Sequence, residues 1–436
     1  MRKLSNINPF LLFLPFLVLY TAIVLVNPPT GQYGDEGRYI MYARFMIDRF
    51  LPPTDLDFDH LGNGPGYSII LIPFIAFRIP MLCIGLLNAV LLYLSVVLLF
   101  KTAIKLISFR MALCISLFWA MYLNSYEYIA KVLPEVMISF FMCLALYWLF
   151  KAFASNKLKH LIISGFIVGY MALIKPVFGY VILAMLVFFG IIMLFKKSKQ
   201  GFYKRAVIVL AIAICSNIPY LYYTYQETGK MLYWSSLGGN NLYWATELDE
   251  YEYGTWFPDP GLKADPATAY THLPNFEEIV KEKHKADFEE INQFHGVKRD
   301  DAYKRIAWRN IKANPVKYLQ NCLYNVSRIL FNFPYSYKLQ TPKTIVRLPF
   351  NGILLIALLL CIIPTWRNRD KIDFGIKFFI LMVFVYLGGS VLACAETRMF
   401  TVVVPALLIW AGFVLGKCLK IDLGEWKGES GGSKPF

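Results

Sequence analysis

Charge is scarce in this 436-residue chain, and negative charge is scarcer still: 17% of residues are charged, with 29 Asp and Glu against 44 Lys and Arg. With 57% hydrophobic residues, so little charge excludes a soluble domain with an ordinary polar surface. Histidine is almost missing. The five are scattered, and only His60, with Asp57 and Asp59, offers a metal-like grouping on paper. Of eight cysteines, seven lie in or beside apolar runs and only Cys322 stands well inside a polar stretch, without metal-ligand spacing. A disulfide framework is therefore not expected. Phosphate-cradling loops are also lacking: no Lys-Ser/Thr follows Gly238-Gly239 and no strand pattern precedes it, so ATP-driven transport has no basis. No repeat of short period is visible.

Long apolar runs are what the chain does have. Ten runs, at 8–27, 80–100, 107–124, 133–152, 160–174, 176–195, 204–223, 345–364, 374–393 and 399–418, approach the roughly 20 residues needed to cross hydrocarbon. Mean hydropathy is +0.49. The first run lacks an Ala-x-Ala-like exit and reads as a retained anchor. With the N-terminus inside, inner connections collect Lys101, Lys105, Arg110, Lys151, Lys157, Lys159, Lys196, Lys197, Lys199, Lys204, Arg205, Arg367, Arg369 and Lys371. Short outer connections hold only Lys131, Lys175 and Arg398, as the positive-inside rule asks. This asymmetry explains much of the net charge of +15, so no nucleic-acid partner is needed. Segment 65–78 reads as interfacial or re-entrant, because a span there would invert the pattern. The expected fold class is an all-α polytopic membrane protein.

Four portions follow: an N-terminal membrane module over 1–223 with a first outer loop at 28–79, an outer region over 224–343, C-terminal membrane helices over 344–420, and a disordered tail over 421–436. In the first loop, Tyr39, Ala43, Met46 and Phe50 recur at helical spacing, which predicts an amphipathic surface helix over 36–50 with Asp35 at its start. In the outer region, helices are expected over 276–293, 300–313 and 315–331, the last opened by Pro315. Asn325-Val326-Ser327 is a sequon usable in an endoplasmic reticulum.

The candidate chemistry gathers at the outer connections. Two adjacent carboxylates, Asp35 and Glu36, stand close to a bilayer, where they must be paired, solvated or used. Asp35 can act as a general base toward an acceptor hydroxyl, or simply cap the following helix. Glu135 opens the fourth span, where the helix dipole or a polar cavity shared with Asp35 accounts for it. Glu127 reads as a solvated loop residue. Lys175, before Pro176, either grips a lipid phosphate or snorkels to the interface. Glu396-Thr397-Arg398 supplies either a phosphate-binding Arg or a local acid–base pair. Tyr233, Trp234, Tyr243 and Trp244 either stack on a sugar or line the interface.

In this order along the chain, the pieces resemble the polytopic GT-C glycosyltransferases, particularly the protein O-mannosyltransferases and the bacterial aminoarabinose transferases that modify lipid A. Asp35-Glu36-Gly37-Arg38-Tyr39 matches their Asp-Glu-x-Arg-Tyr motif, and Gly64-Pro65-Gly66-Tyr67 is similar to their double-proline turn. Glu135, Lys175-Pro176, Gly239-Asn240-Asn241-Leu242-Tyr243 and Glu396-Thr397-Arg398 with Pro405 continue the series over about residues 1–415. The chain departs from the pattern at Asn63, where many relatives carry a Lys.

The resemblance implies a GT-C-type bundle of about 10–11 spans with outer juxtamembrane helices. It implies a polyprenyl-phosphate sugar donor, a lipid, glycan or protein acceptor, surrounding membrane lipids, and inversion at the anomeric carbon. Asp35, Glu36 and Glu135 would be catalytic, with Asp35 as base. Lys131, Lys175 and Arg398 would hold the donor phosphate. Arg38, Tyr39, Glu396, Asn240 and Asn241 would bind substrate. No cofactor is implied, although a divalent metal ion is compatible. A bacterial inner membrane with the site on its extracytoplasmic face fits these expectations. The rival readings are a transporter or flippase for a lipid-linked glycan, and a surface polysaccharide polymerase or ligase.

Overall fold

Hydrocarbon offers no hydrogen bonds, so a spanning backbone must satisfy itself, and a helix does this within one segment. The computed structural model describes residues 8–31, 35–49, 61–155, 157–195, 200–257, 275–337 and 342–418. Every regular element among them is a helix. The His60, Asp57 and Asp59 grouping, Phe50 and the tail over 421–436 lie outside the described residues.

In chain order the helices are α1 (Pro9–Leu12), α2 (Leu14–Val26), α3 (Asp35–Arg49), α4 (Pro65–Ala76), α5 (Met81–Leu106), α6 (Phe109–Ala120) and α7 (Leu123–Ile129). They continue with α8 (Glu135–Ala154), α9 (Leu158–Ile174), α10 (Val177–Phe195), α11 (Gln200–Thr228) and α12 (Gly238–Ala245). The rest are α13 (Phe276–Lys283), α14 (Lys285–Ile291), α15 (Gly296–Ala313), α16 (Pro315–Phe331), α17 (Pro342–Arg367), α18 (Phe374–Ala393) and α19 (Thr397–Lys417).

Among the described residues, seven helices are long and apolar enough to cross a bilayer: α5, α8, α10, α11, α17 from Arg347, α18 and α19. Four shorter apolar helices, α2, α4, α6 and α9, accompany them. The chain is a multi-pass membrane protein of helical class. Helix α4 has 12 residues, about 18 Å of rise, too short for a hydrocarbon layer about 30 Å thick, which suits a re-entrant piece. The N-terminal run is broken at Phe13 into α1 and α2, with Asn8 Oδ1 accepting from Phe10 N at the start. Helix α11 runs on to Thr228, past the expected limit at 223.

Burial divides the molecule into two apolar bodies. One is the bundle core, running through α5, α8, α9, α18 and α19 and centred on residues such as Trp119, Met142, Val168 and Met382. The other is an outer lobe with its own aromatic core of Tyr243, Trp244, Phe257, Phe276, Phe288, Ile291 and Tyr303. Arg328 of α16, 1% exposed, ties this lobe together. Its guanidinium donates to the carbonyls of Tyr253, Gly254 and Pro334, to Thr255 Oγ1 and to Asn325 Oδ1. Asn325 is fully buried, and its amide donates to Val391 O, so the sequon is closed to modification.

Close backbone approaches set the register around the site. A Cβ on Gly64 or Gly66 would strike the Leu173 carbonyl at 2.1 Å or Ile174 N at 2.7 Å, so only glycine lets the start of α4 rest on the end of α9. Tyr170 OH donates to Gly66 O at 2.8 Å, and Ser235 Oγ to Gly62 O at 2.8 Å. Asn88, buried in mid-α5, donates to the carbonyls of Ile129 and Lys131 and holds the turn between α7 and α8.

Candidate active site

Four distant segments meet here. Asp35 and Glu36 open α3, Glu135 is the first residue of α8, Lys175 ends α9, and Arg398 is the second residue of α19. Arg398 Nη1 donates to Asp35 Oδ2 at 2.7 Å and stands 4.0 Å from Glu135 Oε1. Its Nε lies 2.6 Å from Glu396 Oε2. Lys175 Nζ is 3.5 Å from Glu135 Oε1, and Arg38 Nη1 is 3.4 Å from Asp35 Oδ1.

Side-chain exposure falls along the cluster, from 34% at Glu396, 30% at Asp35 and 26% at Arg398 to 15% at Lys175 and 2% at Glu135. The group therefore runs from an accessible end to a buried one. At the buried end, Glu135 Oε2 has no hydrogen-bond partner among the described residues. An unsatisfied buried carboxylate oxygen is a source of strain that a ligand or proton can relieve.

The geometry shows what each of these side chains faces. Both Asp35 oxygens face guanidinium groups, in addition to its place at the start of α3. Burial by itself pushes its carboxyl up, but Arg398, then Arg38 and Lys175, outweigh this and hold it below the usual aspartate range. Glu135 faces two cations in addition to the dipole of α8. Lys175 is turned onto Glu135. Arg398 makes the local pair with Glu396 and also crosses to Asp35.

The remaining candidates take other places. Glu36 Oε1 accepts from Val132 N at 2.8 Å and anchors α3 to the turn before α8. Tyr39 is buried, its ring edge-on to Tyr67 at 5.1 Å, and so belongs to the α3–α4 packing. Lys131 Nζ donates to Glu127 Oε1 at 3.1 Å. Glu127, read as a solvated loop residue, is in fact shared between Lys131 and Arg347. Arg347 also donates to Thr397 Oγ1, next to Arg398. Asn240 and Asn241 ride on α12 in the outer lobe, where Asn240 Oδ1 accepts from Trp256 Nε1 at 2.7 Å. The ion pairs of the cluster run instead among Asp35, Arg38, Glu135, Lys175, Glu396 and Arg398.

Sequence reasoning missed Arg347 and Asn88. The available signals were a cation within the first residues of the 345–364 run and an amide in the middle of the 80–100 run.

The outer lobe holds a second polar group, and it is differently composed. One carboxylate oxygen each of Glu247 and Glu252 and a ring nitrogen of His284 lie within 4.8 Å of one another, the one grouping among the described residues able to hold a metal ion. Burial, then the charge of Glu252, pushes the Glu247 carboxyl well above its usual range. Aromatic residues proposed to stack on sugar are enclosed here as well: Tyr243 and Trp244 are each 1% exposed.

Comparison with known proteins agrees with the motif reading. Residues 69–223 match the family model described as dolichyl-phosphate-mannose-protein mannosyltransferase. This bears out the resemblance to the GT-C superfamily of membrane glycosyltransferases. No curated protein matches the sequence. Among solved structures, the archaeal oligosaccharyltransferase AglB from Archaeoglobus fulgidus, in complex with an inhibitory peptide and a dolichol-phosphate, aligns with 92% of this chain and 50% of its own at 13% identity and a TM-score of 0.49. ArnT from Cupriavidus metallidurans, bound to undecaprenyl phosphate, aligns with 93% of this chain and 77% of its own at 13% identity and a TM-score of 0.41. The chain thus spans about half the length of the archaeal enzyme.

Proposed function

We propose that this protein moves a sugar from a polyprenyl-phosphate donor to an acceptor on the extracytoplasmic face of a bacterial inner membrane, with inversion, at the Asp35–Arg398 cluster. The observation that carries this reading is the ion pair itself. Arg398 and Asp35 are 363 residues apart in sequence, yet Arg398 Nη1 donates to Asp35 Oδ2 at 2.7 Å, beside buried Glu135 and Lys175. A guanidinium is suited to gripping phosphate through two parallel bonds. Transfer from lipid phosphate also needs no nucleotide-binding loop, and none is present in the sequence.

Without donor, Asp35 is a weak base, because Arg398 stabilises its ionised form. Arriving phosphate competes for Arg398 and loosens this hold, so that Asp35 becomes basic when the donor is in place. Asp35 then takes the proton of the acceptor hydroxyl as its oxygen attacks the anomeric carbon. The carbon–oxygen bond to phosphate breaks, and its electron pair leaves on the phosphate oxygen. Arg398 and Lys175 stabilise that growing charge. Glu135 keeps Lys175 in position, Glu36 holds α3 against the turn before α8, and Arg38 and Glu396 flank the accessible entrance. Lys131 contributes positive potential from its pair with Glu127. No cofactor is assigned to the step.

Purified protein in lipid nanodiscs, given synthetic polyprenyl-phosphate sugars and membrane extract, should release polyprenyl phosphate and yield a glycosylated product by mass spectrometry. Donors that stay intact with every sugar and acceptor fraction, together with unchanged lipids and glycans in cells lacking the protein, would refute the reading.

A further inference from the structure

The outer lobe brings two buried carboxylates and an imidazole together, with ligand atoms within 4.8 Å of one another. Tyr243 OH is 2.6 Å from His284 Nδ1 and 3.1 Å from Asp287 Oδ2. With the Tyr243 proton directed to the carboxylate, the tyrosine oxygen can accept from Nδ1–H, and that tautomer of His284 presents the lone pair of Nε2. That nitrogen faces Glu252 Oε1 at 3.2 Å. Glu252 Oε1 is already an acceptor, since Tyr337 OH donates to it at 2.9 Å while Lys283 Nζ donates to Tyr337 OH at 2.8 Å. In that tautomer the Nε2 lone pair and a Glu252 oxygen point to one place, as two ligands of a single ion do.

Glu247 completes the arrangement. One of its oxygens accepts from Gly254 N at 3.1 Å, and the other, Oε1, is buried with no partner among the described residues. Glu247 is 2% exposed and Glu252 1%. The adjacent cations do not supply the missing donors. Lys317 Nζ donates to the Glu252 carbonyl at 2.7 Å, and the Arg328 guanidinium is directed at carbonyls, Thr255 and Asn325.

We propose that Glu247, Glu252 and His284 form a binding site for one divalent transition-metal ion of the zinc type, which pins the outer lobe. Two ligands bound about 2.0–2.2 Å from such an ion stand about 3.0–3.5 Å apart, the range in which Nε2 and Glu252 Oε1 lie. One imidazole with two carboxylates suits zinc better than calcium or magnesium, which favour all-oxygen shells. With a metal bound, the Asp287–Tyr243–His284 chain would do what partners beyond the ligands do in metal sites, holding the proton on Nδ1 and aiming Nε2 at the ion. The ion would join the segment after α12 to the junction of α13 and α14, inside the aromatic core where Trp244 lies 5.1 Å from the His284 ring. This site is separate from the Asp35–Arg398 cluster and does not depend on the transfer reading.

The full-length protein in detergent, stripped with EDTA and desalted, is to be given zinc, then gel-filtered, with bound metal measured by mass spectrometry and unfolding followed by tryptophan fluorescence. Wild type should retain about one zinc per chain, unfold at higher temperature with zinc, and respond far less to magnesium. Tyr243→Phe should weaken zinc binding about 10–100-fold, and Glu247→Gln at least as much. Failure of wild type to retain stoichiometric zinc, or retention by both variants equal to wild type, would overturn the site.

Discussion

The bundle and the outer lobe each bury carboxylates, but they balance them in opposite ways. In the bundle, Asp35, Glu135 and Glu396 meet Arg38, Lys175 and Arg398 directly, and exposure runs from 34% at one end to 2% at the other. In the lobe, Glu247 and Glu252 are fully enclosed, and the neighbouring Lys317 and Arg328 donate to backbone carbonyls instead. The contrast teaches that counting acids in a site says little. An anionic ligand can trade partners with an acid already matched by a side-chain cation, whereas buried acids that no Lys or Arg side chain pairs with attract a cation. The first arrangement suits turnover and the second suits permanent occupancy.

The sharpest way to break the comparison is to unbalance the bundle. Lys175→Met leaves Glu135 buried with only the 4.0 Å approach of Arg398, and stability should fall by about 3–5 kcal/mol in chemical unfolding. Adding Glu135→Gln should restore much of that loss, because the uncompensated charge is gone. A double variant no more stable than Lys175→Met would mean that packing, not charge, sets the cost.

Next in size, Arg398→Ala should lower transfer by about 10²–10³-fold, the share of one fixed donor to a developing anion. Donor affinity should weaken with it. Arg398→Lys keeps the charge but not the planar fork and should fall between the two. Unchanged donor binding in Arg398→Ala would move phosphate recognition to Lys131 or Lys175.

The smallest effect is in pH dependence. Without donor, Asp35 has a depressed carboxyl, so its contribution to stability is present above the ordinary aspartate value of 3.8 and is lost as pH falls through the lower, folded-state value. The acid limb of kcat/KM, which reports the free enzyme, should therefore lie below the ordinary aspartate value. Once phosphate engages Arg398, the acid limb of kcat should stand at higher pH than that of kcat/KM. Coincident limbs in the two profiles would mean that Asp35 stays paired throughout.

Much of the fold was legible because its cause is local. Apolar runs matched to the bilayer marked the spans, and the Tyr39, Ala43 and Met46 period marked α3, whose Tyr39 and Ala43 are buried. The Gly64-Pro65-Gly66 turn was visible, but its reason, the backbone of Leu173 and Ile174 pressed against it, was not. At the site, residue types at the outer connections suggested Asp35, Glu135, Lys175 and Arg398, while the bonds joining them depend on how α3, α8, α9 and α19 pack. The role of Glu127 was missed for the same reason, since its partner Arg347 lies 220 residues away. Only the resemblance points to Asn240 and Asn241 as substrate-binding residues; the bond from Gly239 N to Asp300 Oδ1, which draws α12 into the lobe, was not visible in the sequence. The lobe cluster was hidden most completely, because only the packing of the lobe brings Glu247 and Glu252, after α12, onto His284 between α13 and α14.

The central claim is that Asp35 accepts the proton after phosphate has drawn Arg398 away from it. Its most direct test measures donor affinity and single-turnover transfer side by side for purified wild type and Asp35→Asn. The amide keeps size and one acceptor oxygen but cannot serve as a base, and it holds Arg398 less firmly. Transfer should fall by about 10²–10⁴-fold while the donor binds as tightly as before, or more tightly. Near-normal transfer by Asp35→Asn, or a loss of donor affinity in step with the loss of rate, would contradict the claim.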